Sequence, residues 1–150
     1  MTKILFVCHG NICRSTMAEY VMKHLVKKAG VEGEFYIDSA ATSTEEIGSG
    51  VHHGTRRKLA QVGIPCGDHR ARQVRWEDYQ KFDRIIGMDD ANRRNLLQML
   101  KGDPEGKVSL LLDYTCRPGA IADPWYTGDF DETYRDVLEG CEGLLRQLKG

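Results

Sequence analysis

Apolar positions follow two rhythms along the chain. Short apolar runs at 4–7, 35–39, 84–88 and 108–112 are rich in strand-forming residues and end at polar or glycine-bearing positions. Between and after them, segments near 16–29, 55–62, 90–100 and 131–148 repeat apolar residues at three- and four-residue steps, the helical period. The last is the clearest: Tyr134, Val137, Leu138, Cys141, Leu144, Leu145 and Leu148 share one face, which predicts a core position for Cys141. Strand and helix alternate throughout. The pattern predicts a three-layer α/β fold, a parallel sheet with helices on both faces. In such sheets ligands bind beyond the carboxyl ends of the strands, near a reversal of strand order. No repeat or linker interrupts the pattern, so residues 1–150 are expected to form a single domain.

The first strand-to-helix junction carries the most chemistry. The run Cys8-His9-Gly10-Asn11-Ile12-Cys13-Arg14-Ser15 lies between the apolar residues 4–7 and Thr16-Met17-Ala18-Glu19, which matches a T-x-x-E capping box and predicts a helix start. Backbone N–H groups of such a turn, with the unpaired N–H groups of the helix, converge on one point and favour an anion. Gly10 accepts positive φ without steric cost and Asn11 tolerates it, so the amides can be aimed inward. Arg14 adds a planar fork matched to phosphate oxygens. These groups predict a thiolate at Cys8, a nucleophile facing a bound phosphate. Taken alone, a cysteine six positions before an arginine is also compatible with a small packing residue. The strand before it and the helix after it favour the functional reading.

The loop closely resembles the phosphate-binding loop of the low molecular weight protein tyrosine phosphatases. The similarity continues in Asp38-Ser39-Ala40, Asp68-His69-Arg70-Ala71-Arg72-Gln73, Met88-Asp89 and Asp123-Pro124-Trp125-Tyr126. The resemblance implies a four-stranded sheet of order 2-1-3-4 and hydrolysis of phosphotyrosine in proteins, and of small aryl phosphates, through a phosphocysteine. The implied substrates are tyrosine-phosphorylated proteins and the implied product is inorganic phosphate, with no cofactor and no metal. Cys8 is the expected nucleophile, Arg14 the phosphate-binding cation and Asp123 the general acid, with Pro124 holding Asp123 outside helical geometry. His9, Gly10, Asn11, Ile12, Cys13, Ser15, Glu45, Trp125 and Tyr126 are the expected substrate-binding residues. Ser15 is expected to donate to the Cys8 sulfur, and Asn11 and His69 to lock the loop by hydrogen bonds. Cys13 is either a packing residue beneath the loop or, as in proteins resembling this one, a thiol that captures oxidised Cys8 as a disulfide.

Two departures from the family pattern bear on specificity. Glu45 stands where many members carry an aromatic wall residue; its carboxylate either sorts substrates by flanking charge or faces solvent. His52-His53 replaces a common Asp-Pro pair. Adjacent positions on a helix or strand point apart, so the two histidines are not expected to bind metal.

Composition narrows the partners. With 21 basic and 22 acidic residues the net charge is −1, which offers no long-range attraction to nucleic acid, although Arg56-Arg57-Lys58 and Arg70, Arg72 and Arg75 are locally basic. No apolar run reaches membrane-spanning or signal-peptide length, so no membrane partner and a cytoplasmic location are expected. Five cysteines without a C-x-x-C pair suggest neither a disulfide framework nor a zinc site. Three other readings compete: a protein arginine phosphatase, in which threonine commonly stands where Ile12 does; an arsenate reductase of the same fold, disfavoured because 89–100 lacks cysteine; and a non-hydrolytic phosphocysteine carrier or anion-binding module, which needs no acid at Asp123.

Overall fold

The structure is a computed structural model and describes residues 1–149. Four parallel strands, β1 (Thr2–Cys8), β2 (Phe35–Ala41), β3 (Arg84–Gly87) and β4 (Val108–Leu110), form one sheet of order β2-β1-β3-β4. β1 is central: Ile4 lies opposite Ile37 on one side and Arg84 on the other. Its apolar run is continuous because both faces are covered. Ile4 and Phe6 pack with Met17, Val21, Val137 and Leu144 from α1 (Arg14–Lys28) and α6 (Phe130–Lys149). Leu5 and Val7 pack with Tyr79, Phe82 and Leu96 on the opposite face, where α3 (Trp76–Lys81) and α4 (Asp90–Met99) lie. α2 (His53–Gln61) joins the first layer through Leu59, and Cys141 is fully buried there, as its period predicts.

Element boundaries differ from the sequence pattern in informative places. α1 begins at Arg14, with Cys13 as N-cap and no side-chain cap. Thr16 instead turns its hydroxyl back to the carbonyls of Ile12 and Cys13, at 2.8 and 3.0 Å, and Glu19 accepts from Ser39 Oγ at 2.6 Å. The expected capping box is absent because the helix starts at Arg14, two residues before Thr16, which places Thr16 inside the first turn and not at the cap. β4 ends at Leu110, and Leu111–Tyr114 wind into a 3₁₀ helix against α6. That contact is close: a Cβ on Gly140 would meet Leu111, and one on Gly143 would meet the Tyr114 carbonyl. α3 and the four-residue α5 (Pro124–Thr127) are too short to show a period. Among the described residues no helix is long and apolar enough to cross a membrane.

Candidate active site

Cys8 is the last residue of β1, and the chain then wraps around its sulfur before entering α1. The Asn11 N–H points at Cys8 Sγ from 3.3 Å and Ser15 Oγ lies 3.1 Å from it. Asn11 carries the positive φ of the loop, +59°, whereas Gly10 does not adopt it. That strained turn is held from below. Asn11 Nδ2 donates to Ser15 Oγ at 2.8 Å and Ser39 Oγ at 2.9 Å, and its Oδ1 accepts from the Arg72 amide and lies 2.8 Å from His69 Nε2. Ser39 passes the network on to Glu19, which Lys23 balances at 2.6 Å. The side chains of Asn11, Ser15 and Ser39 are completely buried, and every one has a partner.

Arg14 is only 3% exposed. Its Nη1 donates to Asp89 Oδ2 at 2.7 Å and to the Ile121 carbonyl at 2.9 Å, while Nη2 lies 3.4 Å from Asp123 Oδ2. Burial works against the guanidinium charge, but Cys8, Asp89 and Asp123 outweigh it and raise its pKa. Burial likewise opposes the Asp89 charge, and hydrogen bonds from Arg14 and the Asn92 amide still hold that carboxyl below its usual range. Asp89 thus has two tasks, since its other oxygen caps α4.

Asp123 sits in extended geometry ahead of Pro124, as the proline dictates, but it is the N-cap of α5 rather than part of an irregular loop. Its Oδ1 accepts from the Trp125 amide at 3.0 Å, leaving Oδ2 toward Arg14. Cys8, His9, Ile12, Cys13 and Asp123 line a cavity of about 100 Å³, with Trp125 and Tyr126 exposed at its mouth. Glu45 and Glu46 line the same cavity. Glu45 is largely exposed yet engaged, its Oε2 lying 2.7 Å from His9 Nε2 across the mouth.

The structure therefore brings together all the residues expected at the site, some lining the cavity and others beneath it. Sequence reasoning gives no role at the site to Asp89, Ser39, Glu19, the Ile121 carbonyl or Glu46. In the sequence Asp89 and Ser39 stand only as matched motif positions, and the spacing of Glu19 from Thr16 predicts a helix cap. The two histidines also differ from expectation. His52 and His53 do not point apart; their rings stack at 4.2 Å, because His52 is the N-cap of α2 and has left helical geometry. Glu19, Asp38 and His69 bring donor atoms within 4.8 Å of one another, but the network around Asn11 and Ser39 already uses them. Of the basic segments, Arg72 is consumed by Asp38 and Asp78 and Lys58 by Asp131.

Known proteins resemble this chain over nearly their whole length. A sequence model described as low molecular weight phosphotyrosine protein phosphatase matches residues 3–150. The low molecular weight protein-tyrosine-phosphatase YfkJ of Bacillus subtilis is 40% identical, covering 99% of this chain and 97% of its own. Its crystal structure superposes with a TM-score of 0.96 over 99% of this chain and 95% of that one. The low molecular weight phosphotyrosine protein phosphatase of Gallus gallus is also 40% identical, over 96% of this chain and 94% of its own. The structure of a Drosophila arginine phosphatase matches with a TM-score of 0.91 and 34% identity over 99% of both chains. Fold, loop and full-length similarity lead to one assignment: the chain belongs to the low molecular weight phosphotyrosine protein phosphatase family.

Proposed function

We propose that the protein hydrolyses phosphotyrosine in proteins, and small aryl phosphates, in two steps. The phosphoryl group lies over the cradle with its oxygens on the loop amides and Arg14. Cys8 attacks phosphorus as a thiolate, the bond to the phenolic oxygen breaks, and Asp123 gives that oxygen its proton. In the second step the Asp123 carboxylate takes a proton from water, the water oxygen attacks phosphorus, and the sulfur–phosphorus bond breaks to release inorganic phosphate and the thiolate. Ser15 and the Asn11 amide stabilise the sulfur whenever it carries charge. Every step is assigned to a side chain of the protein itself.

The observation that carries this reading is Arg14, buried and fixed between Asp89 and the Ile121 carbonyl, with Asp123 alongside. It supports the reading by setting a cation suited to phosphate 3.4 Å from a candidate proton donor that lines the same cavity as Cys8. A carrier module has no use for the second. We also propose a cytoplasmic location, and assign residues 1–150 to one domain, an assignment supported by the single sheet and by the family match over residues 3–150.

A second reading, phosphoarginine hydrolysis, draws support from the Drosophila neighbour and from the carboxylates of Glu45 and Glu46 at the mouth. Phosphate release from matched phosphotyrosine and phosphoarginine peptides separates the two. Turnover of phosphotyrosine is expected to dominate, to vanish in Cys8→Ser, and to fall ~10²–10⁴-fold in Asp123→Asn, the range of general-acid catalysis. The Asp123→Asn loss should shrink as the leaving phenol becomes more acidic. An equal loss for all leaving groups would refute the acid role, and preference for phosphoarginine would refute the substrate assignment.

A further inference from the structure

The two halves of the site come from distant parts of the chain, and one short segment touches both. At the start of α2, the His52 amide donates to the Ile12 carbonyl at 2.9 Å and Thr55 Oγ1 donates to the Cys13 carbonyl at 3.1 Å. Two bonds thus fix this segment to the phosphate loop. On its other side the same segment meets the acid-bearing stretch. The His52 ring lies edge-on to Trp125, with ring centres 5.7 Å apart, and stacks on Phe130 at 5.5 Å and 18°. Phe130 opens α6 directly after the Asp123–Asp129 stretch, and it packs on Ile12, Cys13 and Ala71. Its ring fills the space where a Cβ of residue 54 would stand, so only glycine fits there. The Asp123 stretch is therefore held between two aromatic contacts of one imidazole, at Trp125 and at Phe130.

We propose that His52 is a positioning residue that sets the Asp123 carboxylate relative to the phosphate loop, the ring acting through Trp125 and Phe130. The inference rests on Asp123 acting as the acid. His52 is at the same time the N-cap of α2, its Nδ1 accepting from the Gly54 amide at 3.0 Å, so the ring is held as the tautomer with Nδ1 unprotonated. Cap and ring are separable by substitution. Asparagine keeps a cap acceptor and removes the ring, whereas phenylalanine keeps the ring and removes the cap.

The charged groups around the ring are His53, stacked on it, and the carboxylates of Asp123 and Glu46. Protonation would turn Nδ1 from acceptor to donor against the Gly54 N–H and place a cation beside Asp123. The rate should therefore acquire an acidic limb that His52→Phe lacks.

The test is a double-mutant cycle on aryl phosphates with leaving phenols of graded acidity. His52→Asn should lower turnover of the poorest leaving group by roughly 10-fold, less than the ~10²-fold that a 1 Å misplacement can cost. The loss should shrink for acidic phenols, and competitive inhibition by inorganic phosphate should not change. In the Asp123→Asn background the same substitution should cost nothing further, because its effect passes through the missing acid. His52→Phe should retain most of the rate at neutral pH, and Phe130→Leu should reproduce the His52→Asn pattern. An equal loss in both backgrounds, no loss in either, or retention by Asn but not Phe would overturn the proposal. Asp123→Asn alone reports on the acid role: no loss there sinks the proposed chemistry, whereas a loss there with an additive His52 effect sinks only the positioning role.

Discussion

Cys13 shows how burial sets the chemistry of a single atom. Burial first, then the neighbouring charge of Cys8, then Asp123, push its thiol up to about 12. It therefore rests as a thiol and cannot compete with Cys8 for phosphate. The same property governs any disulfide between them. Once peroxide has converted Cys8 to a sulfenic acid, with loss of water, the Cys13 sulfur must attack as a thiolate and expel hydroxide. Conversion of Cys8 to the neutral sulfenic acid removes the second cause, but burial, the largest, remains. Disulfide formation should then accelerate ~10-fold per pH unit above neutrality, following the thiolate fraction. Mass spectrometry of the oxidised protein, quenched at intervals over a series of pH values, would measure this. A pH-independent rate would mean that ionisation of Cys13 does not limit the step, and no disulfide at any pH would leave Cys13 a packing residue alone.

The elements depend on close backbone approach as much as on apolar burial. Gly143 lets α6 rest against the Tyr114 carbonyl, where a methyl group would collide with main chain rather than with a side chain able to move. Gly143→Ala should therefore destabilise by about 1–3 kcal/mol despite its better helix propensity, the range for overpacking; urea unfolding would show it as a lower midpoint with an unchanged slope. Nothing in the local sequence marks this glycine as special. What was legible were features written in consecutive residues: the buried runs of β1 and β2, the long stripe of α6, and the loop from Cys8 to Arg14. The parallel α/β class followed from their alternation, while strand order came only from family resemblance. α3 and α5 were missed because six and four residues cannot display a period. Glu19 was misassigned because the helix-cap spacing it satisfies locally is overridden by Ser39 across the fold. Asp89, too, acquires its role at Arg14 only through tertiary contact.

At the scale of the whole molecule, titration bounds stability on both sides. His52, Asp89, Asp103 and Glu139 all have depressed pKa values in the folded chain. Such groups contribute stability that is fully present above their unfolded values and is lost as pH falls through the folded ones. The first to be lost is His52, whose ordinary value is 6.5, with the carboxylates following in stronger acid. Cys13, Cys66 and Cys141, and Tyr20 and Tyr134, are raised, chiefly by burial. Their contribution is fully present below the unfolded values, 9.0 for the thiols, and is lost as pH rises through the folded ones. Thermal unfolding should accordingly show a plateau between about 6.5 and 9.0 and fall on either side. A midpoint that kept rising beyond that window would contradict it.

The partners of Arg14 also impose an order in time. Asp89 and Ile121 stand 75 and 107 positions after it, so a chain emerging from the ribosome presents Cys8, the proposed nucleophile, long before the groups that hold Arg14. At 5–20 residues per second the interval to Ile121 is roughly 5 to 20 seconds. Throughout that interval Cys8 is a cysteine without its site. The proposed nucleophile thus precedes its site, which is complete only once the Asp123 stretch has followed.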